Sequence, residues 1–205
     1  MQRKRKFFEE ADSEEYLHKA AWQVVMRQIE HAETNQTGAL YDDLVAMVFA
    51  LHCIEGYLNF VGAKIAPELW KHEKETFGRT GIAGKLSAIG ERCGVSVPDK
   101  GKRPYSTVSE LKKLRDKMAH PTTYRANTKK VFVEDKPAPL FARTHLATLV
   151  SHKKAVRARE DVKCIADEIH RAALSRFPHA GLGPNPLEGI QSTRTTSSRL
   201  ICHFS

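Results

Sequence analysis

The chain has 205 residues and a mass of 23.1 kDa, the size of one domain or of one domain with a tail. Apolar residues make up 41% of the sequence, which is enough to build a core and excludes a chain that is disordered throughout. Lysine and arginine number 33 against 24 acidic residues, so the net charge is +9 and an anionic partner is favoured.

The sequence also argues against a membrane-spanning, a secreted and a metal-binding protein. No run approaches the ~18 consecutive apolar residues that cross a bilayer. Acidic residues follow the basic run Arg3–Lys6 almost at once, where a secretory signal would need a hydrophobic stretch, and this predicts a cytoplasmic protein. The four cysteines lie far apart without a Cys-x-x-Cys pair, so we expect free thiols, no metal site and no cofactor.

Apolar residues recur at helical spacing through most of the chain, which predicts an all-α bundle of five to seven helices. The segment 39–62 is apolar around so much of its girth that it should be the central helix. The other predicted helices cover about residues 13–33, 68–77, 82–94, 106–119, 139–155 and 162–173.

The composition divides the chain into three parts. Residues 1–12 form a basic and acidic N-terminal extension, and residues 13–177 form a single helical domain. Residues 178–205 contain three prolines, three glycines and a run of serine, threonine and arginine, which predicts a flexible tail. Residues 129–135 alternate briefly between polar and apolar and predict a short extended segment.

Most of the excess positive charge lies in one segment. Residues 98–130 contain ten basic and three acidic residues, a net charge of +7. Such a segment is either a solvated basic loop beside a helix or a surface that contacts phosphates. The Arg3–Lys6 run leaves a similar choice between a disordered tip and a localisation or nucleic-acid-binding patch.

Three polar residues interrupt the apolar helix predicted over 39–62. His52, Glu55 and Asn59 share one stripe, because residues three and four apart are neighbours on a helix surface. They either lie on the exposed side of this helix, or Glu55 and Asn59 line a site or a partner surface.

Arg115, Asp116 and His120 close the amphipathic helix predicted over 106–119. On an ideal helix Arg115 and His120 lie about 140° apart, but Pro121 disfavours helical geometry at His120. Unwinding there would let the imidazole turn toward the guanidinium and form a cationic pocket with one titratable group. Asp116 could then orient the imidazole ring. The alternative is that a protonated His120 only interacts with the helix dipole.

The segment Leu111–Pro121 resembles the HEPN superfamily of small all-α domains, whose signature is an arginine, a polar residue, three further positions and a histidine. The match is Arg115-Asp116-x-x-x-His120, followed by Pro121, and the helix containing Ile54–Asn59 is similar to an earlier helix of such domains. The resemblance covers residues 38–125 and extends at most to 177. Many members are metal-independent ribonucleases that act as dimers in toxin–antitoxin and defence systems, whereas others keep the motif without demonstrated cleavage.

The resemblance implies an RNA endonuclease that acts as a homodimer, and an antitoxin protein is a candidate further partner. The lack of a long apolar run predicts no membrane association. His120 would transfer protons and Arg115 would clamp the phosphate, with Asp116 as the ring orienter. Four further residues would contact phosphates: Arg103, Lys112, Lys113 and Lys117. Two other hypotheses stay open: a non-catalytic module for dimerisation or for binding a ligand or partner, and a helical DNA-binding protein.

Overall fold

The computed structural model describes residues 7–95, 101–125 and 144–200. Within these ranges it contains a two-stranded sheet and eight helices. The helices are α1 (Leu17–Thr34), α2 (Ala39–Ile65), α3 (Pro67–Trp70), α4 (Glu73–Phe77), α5 (Gly81–Cys93), α6 (Tyr105–Ala119), α7 (His145–Leu149) and α8 (His152–Arg176). The strands are β1 (Phe7–Glu15) and β2 (Ser192–Leu200).

The predicted all-α class is confirmed, although the helix count exceeds five to seven. The helix predicted over 68–77 is interrupted and forms α3 and α4. The C-terminal part of the segment 139–155 contains α7 and the first turn of α8. The Arg3–Lys6 run and the extended segment predicted over 129–135 lie outside the described residues.

Helix α2 is the central helix, as its apolar girth predicts, and it packs against α1, α5, α6 and α8. Its length and apolar content also match those of a membrane-spanning helix, but the core helix of a bundle meets the same test. Seven of its side chains are completely buried: Ala50, Leu51, Cys53, Ile54, Tyr57, Leu58 and Val61. Their burial removes a large apolar surface from water and holds the bundle together.

The flexible tail predicted for 178–205 is not confirmed over its described part, 178–200. Leu182 and Leu187 are almost completely buried and belong to the hydrophobic core. Strand β2 then pairs antiparallel with β1, so that Phe7 lies opposite Leu200 and Glu15 opposite Ser192. Composition misses both features, because two leucines among prolines and glycines give no periodic pattern, and the partner strand lies at the other end of the chain.

Two buried histidines contact Tyr57 in this core. His18, at 3% exposure, packs against the rings of Tyr57 and Phe60, with centroids 5.7 and 5.1 Å away. Its Nε2 makes no hydrogen bond within the described residues. His170 Nδ1 lies 3.1 Å from the Tyr57 hydroxyl, and its Nε2 lies 3.2 Å from the carbonyl oxygen of Gly183. A carbonyl only accepts, so Nε2 of His170 carries the proton and Nδ1 accepts from Tyr57.

These histidines should make the protein less stable in mild acid. Burial and the neighbouring Lys19 ammonium lower the pKa of His18 to about 4, and burial also lowers the pKa of His170. Between pH 6.5 and about 4 the unfolded chain therefore binds protons that the folded chain excludes, and stability falls as the pH falls. From about pH 7 to about pH 5 we expect His18 alone to cost about 2 kcal/mol of unfolding free energy, measurable by denaturant titration.

A His18→Leu variant should lose much of this pH dependence, because it removes the buried group that titrates. His72→Leu is the matched control, since His72 lies on the surface with 60% of its side chain exposed. An unfolding free energy that falls equally steeply in parent and His18→Leu protein would contradict the prediction.

Candidate nucleic-acid interface

Helix α6 buries its apolar side chains against the bundle and carries Arg115 and Asp116 on its outer side. Val108, Leu111 and Leu114 recur at helical spacing and are buried. They hold α6 against α2 and α8. The charged residues from Lys112 to Lys117 therefore project from the remaining circumference of the helix.

The C-terminal end of α6 has the geometry that Pro121 predicts. The helix stops at Ala119, and His120 has φ −124° and ψ 69°, outside the helical region. The backbone N–H of His120 still donates to the carbonyl oxygen of Asp116 at 3.1 Å. Its side chain is exposed, and its imidazole makes no hydrogen bond within the described residues. A ring in this position is open to a ligand from solvent.

Asp116 contacts Arg115 instead of orienting the His120 ring. Arg115 Nε donates to Asp116 Oδ1 at 2.8 Å, with 34% and 49% of the two side chains exposed. The predicted role of Asp116 as ring orienter therefore has no support in the structure. The pair leaves both terminal nitrogens of the Arg115 guanidinium without a hydrogen bond in the described part of the chain. These nitrogens are the part of the fork that binds phosphate oxygens.

Lys113 and Lys117 line a cavity of about 430 Å³ between α2, α6, the end of α7 and the first turn of α8, which we call the basic groove. Its wall consists of Met47, Glu110, Lys113, Leu114, Asp116, Lys117, Leu149 and Lys154. Lys154 Nζ donates to the carbonyl oxygens of Thr148 and Leu149 at 2.6 and 3.1 Å, so this ammonium also holds the end of α7. Three lysines against two carboxylates give the groove a net positive charge.

An aromatic stack borders the basic groove. Lys117 Nζ lies 3.3 Å from His145 Nε2, and the His145 ring stacks on Tyr124 with a centroid distance of 3.9 Å and an interplanar angle of 22°. Neither Tyr124 nor His145 is predicted from the sequence. No periodic pattern connects them, because they lie on separate segments, and their proximity is a tertiary contact.

Two of the predicted phosphate contacts lie elsewhere. Arg103 donates to both carboxylate oxygens of the buried Asp161, at 2.8 to 3.2 Å, and thereby fastens the segment before α6 to α8. Thr107 Oγ1 donates to the same carboxylate at 2.5 Å. Lys112 borders a separate cavity of about 260 Å³ between α5 and α6. Only Lys113 and Lys117 of the four predicted contacts line the basic groove.

Glu55 and Asn59 bind the short helices that cover α2. Glu55 pairs with the buried Lys85 at 3.6 Å, and Lys85 also bonds Glu73. Asn59 Oδ1 accepts a hydrogen bond from Trp70 Nε1 at 3.3 Å. Neither residue lines the basic groove, and within the described ranges no hydrogen bond or ion pair connects either with Arg115 or His120. Their predicted place in the site therefore has no support in the structure.

The end of α6 and the basic groove together present exposed cations, two carboxylates and the exposed imidazole of His120. Among residues 7–95, 101–125 and 144–200, no group of three histidine, cysteine or acidic side chains is arranged to hold a metal ion. Comparison of the chain with protein-family models, with curated proteins and with solved structures found no match.

Proposed function

We propose that the chain is a metal-independent RNA endonuclease that acts as a homodimer. The observation that carries this proposal is the end of α6, where Arg115 is held through Nε with its terminal nitrogens open and His120 is exposed just beyond the helix. A planar, permanently charged guanidinium suits phosphate oxygens, and an imidazole suits proton transfer near neutral pH. The HEPN resemblance of the same residues supports this combination.

The reaction we propose breaks the bond between phosphorus and the 5′-oxygen. One His120 imidazole takes the proton of the ribose 2′-hydroxyl, whose oxygen attacks the neighbouring phosphorus. Arg115 stabilises the negative charge that develops on the non-bridging oxygens. A second imidazole, already protonated, gives its proton to the departing 5′-oxygen, so the products are a 2′,3′-cyclic phosphate and a 5′-hydroxyl. Since one histidine cannot readily serve as base and acid together, the second comes from the other copy of the chain.

The test of this function is incubation of the purified full chain with mixed RNA in EDTA. We expect cleavage products that carry 2′,3′-cyclic phosphate and 5′-hydroxyl ends. Products with 5′-phosphate ends would require a different attacking group, and intact RNA at high protein concentration would contradict the nuclease assignment.

Binding should weaken with salt, because the lysines of the basic groove would displace counterions from the RNA. Log affinity falls linearly with log salt, and for a single strand each lost phosphate contact makes this fall shallower by roughly 0.7 in slope. We therefore expect a smaller slope for the Lys113→Gln/Lys117→Gln protein than for the parent, measured by fluorescence anisotropy with an uncleavable RNA analogue. Lys74→Gln is the matched control, since Lys74 is exposed on α4 and does not line the groove. Equal slopes in all three proteins would contradict a role for the groove.

The alternative function is a non-catalytic module for dimerisation or for binding a protein partner. The observation that favours it is the Arg115–Asp116 ion pair, because a carboxylate already occupies part of the guanidinium. This alternative predicts a stable complex with a partner and no cleavage under any condition of the EDTA assay.

A further inference from the structure

We propose that the Tyr124–His145 stack is a platform for one unpaired nucleobase, and that the enzyme therefore prefers single-stranded RNA. The inference rests on the proposed function, because it places the platform beside the groove that would hold the phosphates. It assigns Tyr124 a role in selecting the substrate, separate from the chemistry at Arg115 and His120.

Tyr124 has a ring face available for a ligand. The residue is 53% exposed although its ring lies only 3.9 Å from that of His145. The interplanar angle of 22° means that His145 covers one face. The exposure therefore falls on the opposite face and the ring edge. An aromatic face open to water beside lysines is the arrangement with which single-strand-binding proteins hold bases.

Neighbouring groups hold the His145 side of the stack in place. Lys117 Nζ only donates, so Nε2 of His145 accepts at 3.3 Å. His145 is also the first residue of α7, whose preceding Thr144 caps the helix by accepting from the N–H of Ala147 at 3.2 Å. Because His145 is held at both its backbone and its ring, the Tyr124 ring stacks on a partner that is already ordered, which lowers the cost of binding a base.

Lys117 connects the stack to the phosphate site. Its ammonium contacts His145, and the same side chain lines the basic groove with Lys113 and Lys154. A base on Tyr124 would therefore place its own or the next phosphate toward the lysines. A base inside a duplex has both faces covered by its neighbours, so only an unpaired base can use this platform. Every base has an aromatic face, so the preference concerns strandedness and not sequence.

The experiment measures binding of a short oligodeoxynucleotide that contains 2-aminopurine, single-stranded or paired with its complement. DNA lacks the 2′-hydroxyl, so the measurement is independent of cleavage. We expect the parent to bind the single strand more tightly than the duplex and to quench its fluorescence. Tyr124→Ala should weaken single-strand binding about tenfold and leave duplex binding unchanged, whereas Tyr124→Phe should retain both affinity and quenching.

Tyr41→Ala is the matched control, because Tyr41 is 65% exposed in the first turn of α2 and does not line the groove. The proposal is overturned if Tyr124→Ala loses no more affinity than Tyr41→Ala, or if it weakens single-strand and duplex binding equally. A Tyr124-dependent preference in a protein that never cuts RNA would support the platform and contradict the nuclease assignment. Cleavage of RNA by a protein that shows no Tyr124-dependent preference would support the nuclease assignment and contradict the platform.

Discussion

Replacing His120 with alanine should lower the rate of RNA cleavage by roughly a hundredfold to ten-thousandfold, the usual contribution of a positioned acid or base. The fold should be unaffected, because the imidazole is exposed and makes no hydrogen bond within the described residues. Initial rates in EDTA measure the effect, and equal thermal unfolding of parent and variant excludes a loss of structure. The exposed His179 supplies a matched control, and His179→Ala should cleave like the parent. Parental rates in His120→Ala protein would assign the activity to another site or to a contaminant.

Two replacements of Arg115 distinguish its charge from its shape. Arg115→Ala should reduce cleavage roughly a hundredfold or more, as expected when a donor to the developing negative charge is removed. Arg115→Lys keeps the charge but lacks the planar fork, so it should bind RNA with nearly parental affinity and still cleave slowly. Parental cleavage by Arg115→Lys would show that only the charge matters.

A mixed-dimer experiment tests whether two copies share one active site. If base and acid come from different chains, a dimer of one parental and one His120→Ala subunit is inactive although one motif is intact. At constant total protein and after subunit exchange, cleavage should then fall with the square of the parental fraction. A linear fall would mean that each subunit cleaves alone and would contradict the shared site.

Local sequence signals predict much of the architecture but few of its side-chain contacts. Apolar periodicity identifies α2 as the central helix, because a helix that is apolar around most of its girth can only be buried. Pro121 predicts the break at His120, since the clash between a proline ring and the preceding residue is local. From its position on the helix Asp116 could contact either Arg115 or His120, and the sequence does not determine which of the two it contacts. In the structure it pairs with Arg115.

Other contacts that the sequence does not predict join residues far apart in the chain. In the sequence Arg103 belongs to a basic segment and looks like a surface cation. The packing of α6 on α8 brings Asp161 beside it, and the two side chains form an ion pair. Tyr124 and His145 likewise meet only in the folded chain. Segment charge therefore overestimates the unpaired positive charge of residues 98–130, because it counts Arg103, which already pairs with the buried carboxylate of Asp161.

Leu187→Ala should lower the free energy of unfolding by about 2 to 5 kcal/mol, which is large for a residue in a segment that looks like a tail. The Leu187 side chain is completely buried, and truncating it removes apolar contacts and leaves a cavity. The backbone around it is also ordered, since Asn185 Oδ1 accepts from the N–H groups of Leu187 and Glu188 at 3.0 and 2.9 Å. This side-chain turn directs the leucine into the core.

Ile190→Ala is the matched control, because Ile190 lies in the same segment but is 68% exposed. Its removal should change the unfolding free energy by less than about 0.5 kcal/mol. Denaturant titration of the three proteins measures both effects, and an unchanged dependence on denaturant concentration confirms that the same surface is exposed on unfolding. If the segment were flexible, both variants would match the parent. A loss confined to Leu187→Ala would show that this segment completes the bundle, covering α8 where His170 bonds Gly183.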